Sequence, residues 1–159
     1  MTIRVLCVGK VKERFYRDAA DELLKRLGRY GEVGLIEVAD EKAPEWLSHA
    51  QKEQVKLAEG ERLLARLDSR DYAVALCIEG KSLSSEQLAQ NLACRMAGGQ
   101  SRVAFIIGGS LGLSPRVLDR ADETLSFGPM TFPHQLFRVM LLEQIYRAFR
   151  ILNNEPYHK

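Results

Sequence analysis

Short apolar runs alternate along the chain with longer segments whose apolar residues recur every three to four positions. Residues 5–8, 33–38, 72–78, 103–107 and 123–127 are short, apolar and rich in β-branched side chains, which predicts five strands. Between the first two, Phe15, Tyr16, Ala19, Ala20, Leu23, Leu24 and Leu27 make one helical stripe that Gly28 closes. A second helix is predicted over about residues 46–67, heavily charged and expected to face solvent. A third starts after Ser84 or Ser85, with Glu86 and Gln87 in its first turn. It is expected to bury Leu88, Leu92 and Met96 before Gly98 and Gly99 end it. Strands alternating with helices predict an α/β fold, a mostly parallel sheet covered by helices on both faces.

The last helix, about residues 133–152, has a different pattern. Phe137, Leu141, Ile145 and Phe149 share one side, while Val139, Met140, Tyr146 and Ile151 fall elsewhere around the axis. A helix apolar nearly all round needs more than one cover. The sheet supplies one; a second copy of the chain is the expected other, giving a homodimer. Complete burial within one chain is the alternative.

Composition narrows the class. With 159 residues and 46% hydrophobic content, the chain is expected to form one domain over residues 1–159. A net charge of +2 neither demands nor excludes nucleic acid, so an anionic partner must be met by local charge. Cys7, Cys77 and Cys94 are far apart in apolar surroundings, with neither disulfide-framework nor metal spacing, so no metal site is expected. The apolar run at the start flows into Lys10 and Lys12 without a cleavage-like segment, and no run approaches the ~20 apolar residues of a membrane span. These features predict a reduced, cytoplasmic protein away from the membrane.

Two apolar runs open into glycine loops, Gly108-Gly109-Ser110-Leu111-Gly112 and Gly128-Pro129-Met130. Glycine lets the backbone approach a ligand closely. The first strand-to-helix turn carries Gly9 alone, which excludes the dinucleotide fingerprint, and Ala75 stands where a P-loop ending in Gly80-Lys81-Ser82 needs glycine. The ligand site is therefore expected at the carboxyl ends of the third to fifth strands. A basic helix and an aromatic, histidine-bearing tail beside it suggest a second, anionic partner.

Ile107 to Leu113, Leu125-Ser126-Phe127, Met130-Thr131-Phe132-Pro133-His134-Gln135, Arg138-Val139, Glu143 to Ala148 and Pro156-Tyr157-His158 resemble the ribosomal RNA large subunit methyltransferase H family. Val8-Gly9-Lys10 and Glu37-Val38 with Asp40-Glu41-Lys42 extend the resemblance toward the start. The resemblance implies a SPOUT-class homodimer with a C-terminal trefoil α/β knot. Its members transfer a methyl group from S-adenosyl-L-methionine to N3 of a pseudouridine in 23S rRNA of the assembled 70S ribosome, without a metal. It implies cofactor-binding roles for Leu76, Gly108, Phe127, Gly128, Pro129, Met130, Thr131 and Phe132. A SPOUT-type enzyme acting on transfer RNA and a non-catalytic ribosome-binding protein are the competing functions.

Pseudouridine N3–H is a weak acid, so transfer needs a base or surroundings that favour the anion. His134 and His158 are the candidates for taking a proton near neutral pH; a helix cap and a frayed terminus are their alternative roles, and His49 is expected at the surface. Arg138 is expected to hold phosphate or a base edge, and Arg147 to pair with Glu143 at i, i+4 spacing. Tyr157 is expected to stack on the target base. Arg116, Arg120, Lys10, Lys12, Arg14 and Lys159 are candidate phosphate contacts. The tail from Glu155 is expected to be extended and to fold over a cofactor site at the dimer interface.

Overall fold

The structure is a computed structural model that describes residues 1–158; the candidate contact Lys159 lies outside the described residues. In chain order the elements are β1 (Thr2–Val8), α1 (Arg14–Leu27), β2 (Glu32–Val38), α2 (His49–Leu64) and β3 (Tyr72–Ser82). Then follow α3 (Ser85–Ala97), β4 (Arg102–Ile107), α4 (Pro115–Arg120), β5 (Glu123–Ser126) and α5 (His134–Leu152). The strands form one sheet in the order β2-β1-β4-β3-β5, with every pairing parallel. Because they run the same way, all five carboxyl ends share one rim, and the rim loops can build one site.

Helices cover both faces, as the continuous apolar runs of β1 and β4 require. On one face α1, α3 and α5 close over Val5, Phe105 and Ile107; on the other Leu63 and Val117 pack on Leu6, Val8 and Ile106. At the rim opposite the glycine loops, the buried Asp71 carboxylate pairs with Arg4 and accepts from Arg102 Nε at 3.0 Å, which ties the amino ends of β1, β3 and β4 together. Among the described residues no helix is long and apolar enough to cross a membrane.

Four elements differ from the expected pattern. α2 starts at His49 because Ser48 and Gln51 form a capping box, which leaves Trp46 in the preceding loop. The charged α2 also has an inner face, since Glu59, Gly60 and Leu63 are buried. Gly60 is needed there: a Cβ would lie 2.5 Å from Ser114 Oγ at the start of α4. The short α4 follows a Ser114 cap and Pro115 at its first position, too few residues to display a period. β3 runs on to Ser82 through an irregularity, because Leu76 and Lys81 both register with Leu125 and residues 77–80 bulge out between them. Finally, Met96 turns outward at the end of α3, 38% exposed.

Candidate functional site

A cavity of about 590 Å³ opens at the carboxyl ends of β3, β4 and β5. This is within the size range of small-molecule and cofactor sites. Its β4 wall is the 108–112 loop, closed by a hydrogen bond from Gly112 N–H to Gly109 O at 3.1 Å and by positive φ at Gly112. No side chain fits at Gly108, where a Cβ would lie 2.7 Å from the carbonyl carbon of Gly112. The β5 wall is held by Ser126, whose hydroxyl donates to Ile78 O at 2.8 Å and accepts from Gly128 N–H at 3.0 Å. One buried hydroxyl thus links the β5 loop to the β3 bulge. Aromatic packing of Phe127 and Phe132 on Phe137, with centroids 4.8 and 6.2 Å apart, completes the apolar side.

Of the residues nominated for the cofactor, all but Pro129 line this cavity; Met130 projects at its mouth, 74% exposed. Backbone N–H and C=O groups dominate one wall and apolar side chains the other, which suits a nucleoside carrying a thioether-type chain. Lys56, the 77–79 bulge, Leu118 and Phe137 also line the cavity and were not expected from the sequence.

His134 lines the same cavity from the first turn of α5. Burial, then the nearby Arg138 charge, hold its imidazole pKa below the ordinary value, with Lys12 adding to the effect and Asp40 opposing it. The ring is therefore neutral at pH 7 and free to accept a proton. Its neighbour Gln135 accepts from Lys12 N–H at 2.9 Å, so the β1–α1 loop is fastened beside the cavity.

Arg138 does not have the expected phosphate-facing position. It is fully buried; Nη1 donates to Gly9 O at 3.0 Å, Nη2 to Val8 O at 3.1 Å, and Nη1 also approaches Glu37 Oε2 at 3.3 Å. Its planar fork is used up closing the ends of β1 and β2, and it is not among the residues lining the cavity. The only signal for this was its place one turn after His134 on an otherwise apolar helix side.

Within one chain, the tail lies against α5 and α3 rather than over this cavity. Tyr157 packs edge-on to Tyr146 with centroids 5.0 Å apart and donates to Glu143 Oε1 at 3.1 Å. His158 Nε2 lies 2.7 Å from Glu86 Oε1; the main-chain N–H at the amino end of α3, then His158 and Ser84, hold the Glu86 carboxyl down at about 2. Arg147 forms the expected pair with Glu143 at 2.6 Å. His49 is exposed. Arg116 pairs with Glu61, and Arg120 with Asp122 at 3.4 Å, so both are engaged by carboxylates.

Beneath the glycine loop sits a carboxyl on the inner face of the charged helix α2, the face opposite the solvent. Glu59 is 4% exposed; Oε2 accepts from Glu41 N–H at 3.0 Å, and a Cβ on Gly109 would lie 3.0 Å from Oε1. Burial is the main cause that raises its pKa. The spacing Val55, Glu59, Leu63, Leu67, with three apolar residues in an i+4 series, is the signal that points inward. Among the described residues, no three His, Cys, Asp or Glu side chains gather as a metal site.

Comparison with known proteins adds identity to this geometry. A family model described as a predicted SPOUT methyltransferase matches residues 1–158. Ribosomal RNA large subunit methyltransferase H of Bifidobacterium animalis subsp. lactis is 59% identical, and that of Lysinibacillus sphaericus 55%, each alignment covering 100% of both chains. Among solved structures, a probable methylase family protein from Haemophilus influenzae superposes with TM-score 0.56 at 15% identity, over 99% of this chain and 70% of that one. A tRNA (m1G37) methyltransferase from Aquifex aeolicus gives 0.55 at 12%, over 100% and 75%. At those identities the structural likenesses show the fold alone. The full-length sequence relatives and the family model show more: the chain belongs to the SPOUT methyltransferases, which use S-adenosylmethionine, and within them to the ribosomal RNA large subunit methyltransferase H family.

Proposed function

We propose that this chain is a cytoplasmic enzyme that methylates N3 of a pseudouridine in 23S rRNA of the assembled ribosome, acting as a homodimer. The observation that carries this reading is the backbone-walled cavity with a neutral, half-buried imidazole at its edge. S-adenosylmethionine supplies a methyl group already made electrophilic by its sulfonium. The protein's own work is alignment and proton handling. Gly108 and the 127–132 loop hold the donor through main-chain groups, while Phe127 and Phe137 exclude water from one side. His134 accepts the N3 proton as the base, and Arg138, by fixing Gly9 and the start of α5, holds that imidazole in place.

The homodimer is supported by a second cavity of about 740 Å³, lined by Leu23, Leu83, Leu88, Val139 and Met140 between α1, α3 and α5. This is the uncovered side of the all-round apolar helix. Glu143, the partner of Tyr157, borders the same groove, so a tail lifted from its own chain can lie over the site of a second copy. The trefoil threading belongs to the same reading. It is supported by Gly80, where a Cβ would lie 2.7 Å from the Leu125 carbonyl carbon as the bulge wraps β5.

Incubation with labelled S-adenosylmethionine and, separately, 70S particles, free 23S RNA and bulk transfer RNA tests the function. Label is expected in 23S RNA of the 70S particles; label in transfer RNA alone would overturn the substrate.

A further inference from the structure

The cavity at the carboxyl rim is lined almost wholly by uncharged groups. Besides the neutral His134 imidazole, two lining side chains carry charge at pH 7, Lys56 from α2 and Glu79 from the β3 bulge. The residues that the resemblance assigns to the cofactor supply none, since Leu76, Gly108 and residues 127–132 are all uncharged. S-adenosylmethionine itself carries a sulfonium, an ammonium and one carboxylate near neutral pH. That carboxylate is its only negative group, and setting it unpaired against an apolar wall costs affinity. Because the donor carries both signs, the cavity has to offer one cation rather than a net positive field.

α2 brings Lys56 to the glycine-loop side of this cavity. Glu59, three residues later on a similar flank of the helix, lies beneath Gly109, where a Cβ would be 3.0 Å from Oε1. The Lys56 side chain is only 20% exposed, so most of its stem is withdrawn from water into the cavity wall. Its ammonium meets Glu53 Oε1 at 2.7 Å, and Glu53 is the more exposed of the two at 37%. An i, i+3 pair of this kind is weak and exchanges readily for another anion. Glu79 is exposed and repels a carboxylate, which leaves Lys56 as the one lining cation among the described residues.

We propose that Lys56 holds the α-carboxylate of S-adenosylmethionine, so that α2 reads the amino-acid end of the donor while the 108–112 and 127–132 loops hold the rest. On binding, the ammonium exchanges Glu53 for the donor's carboxylate, a charge-assisted contact inside the cavity in place of one at the helix surface. Lys56 thereby fixes the far end of the chain that carries the sulfonium, and with it the direction of the methyl group. This role rests on reading the cavity as the S-adenosylmethionine site, and its test separates the two.

Calorimetric binding of S-adenosylmethionine and of its decarboxylated analogue, which lacks only the α-carboxylate, is measured for wild type, Lys56→Met and Lys56→Arg, with urea midpoints to establish that each variant folds. Wild type is expected to bind the decarboxylated donor roughly ten-fold more weakly. Lys56→Met should lose that factor for S-adenosylmethionine, keep wild-type affinity for the decarboxylated donor and so abolish the preference. Lys56→Arg keeps the charge and should retain most of it. A wild-type preference in Lys56→Met overturns the assignment, and if ribosome binding weakens at the same time the ammonium belongs to an RNA phosphate. Equal loss for both donors overturns it too, because it marks a disturbed wall rather than a missing counter-charge. Gly108→Ala examines the underlying reading: unimpaired binding of both donors there places them outside this cavity, whereas impaired binding there with an unchanged preference in Lys56→Met removes Lys56 alone.

Discussion

Arg138 Nη1 donates to the Gly9 carbonyl at 3.0 Å across 129 positions of sequence, and this bond joins the start of the last helix to the end of the first strand. Both groups are buried, so removing the guanidinium leaves the carbonyls of Val8 and Gly9 without a donor and Glu37 without its cation. Arg138→Met is expected to cost about 3 kcal/mol of stability, read as a lower urea midpoint at unchanged slope. Arg138→Lys should recover only part, since one ammonium cannot span both carbonyls and the carboxylate. A variant as stable as wild type would contradict this structural role.

The His134 ring gives a signed pH dependence. Its folded pKa is depressed, chiefly by burial. The group therefore contributes stability that is present above the unfolded value, ~6.5, and is lost as pH falls through the lower folded value. Catalysis should follow the same titration. The acid limb of kcat on ribosomes is expected below ~6.5, and His134→Gln should lower kcat by about 10²-fold and flatten that limb. An unchanged acid limb in the variant would remove His134 from proton transfer.

Gly108 tests the backbone wall. A methyl group there would meet the carbonyl carbon and oxygen of Gly112 at 2.7 and 2.8 Å, main-chain atoms that cannot rotate away. Gly108→Ala should displace the loop, raise the calorimetric Kd for S-adenosylmethionine at least ~10-fold and cost ~1–3 kcal/mol of stability. Unimpaired binding would show that the donor does not depend on this wall.

How these features relate to the sequence depends on how local their causes are. The strands and the striped α1 follow from periodicity, and the cavity from glycines placed just after apolar runs, because each cause lies within about ten residues. Arg138 and Glu59 were misplaced because their partners are distant in sequence: Gly9 and Val8 for one, the Gly109 loop for the other. A charged residue reads as exposed until the fold brings a buried acceptor to it. Met96 erred the other way, since a stripe says which face is apolar but not where the neighbouring layer ends.

Glu59 offers a stability test with the opposite sign to His134. Burial raises its folded pKa, so the native state loses stability as pH rises from the unfolded value, ~4.3, toward the folded one. Glu59→Gln keeps an acceptor for Glu41 N–H and removes the charge. Its gain should reach up to about 1 kcal/mol at pH 7 and vanish near pH ~4, where both forms are neutral. Chemical denaturation at the two pH values reads the difference, and an equal effect at both would point to packing against Gly109 instead.

The tail separates folding from function. Its contacts with its own chain include the Tyr157 ring on Tyr146 and beside Arg147 and Arg150, the hydroxyl on Glu143, the Pro156 carbonyl on Arg150, and His158 on Glu86 and Arg147, gathered on α5 and the start of α3. None closes the core, because Tyr157 packs on it only from the edge, while Tyr30 already stacks on Phe149 and meets Tyr146 at a tilt. Deleting residues 156–159 should therefore leave a folded dimer, with a thermal midpoint within about 4 °C of wild type, the upper end of the shift that ~1 kcal/mol produces in a chain of this size. If the tail instead covers the site of the second copy, as proposed, the same deletion abolishes methyl transfer while calorimetry still detects S-adenosylmethionine binding. Mixing the deleted chain with a Gly108→Ala chain then discriminates further: an intact tail from one subunit over an intact pocket of the other restores one working site per mixed dimer. Recovery of activity on mixing is the expected result, and its absence, with mixed dimers demonstrated by mass, would confine the tail to its own chain.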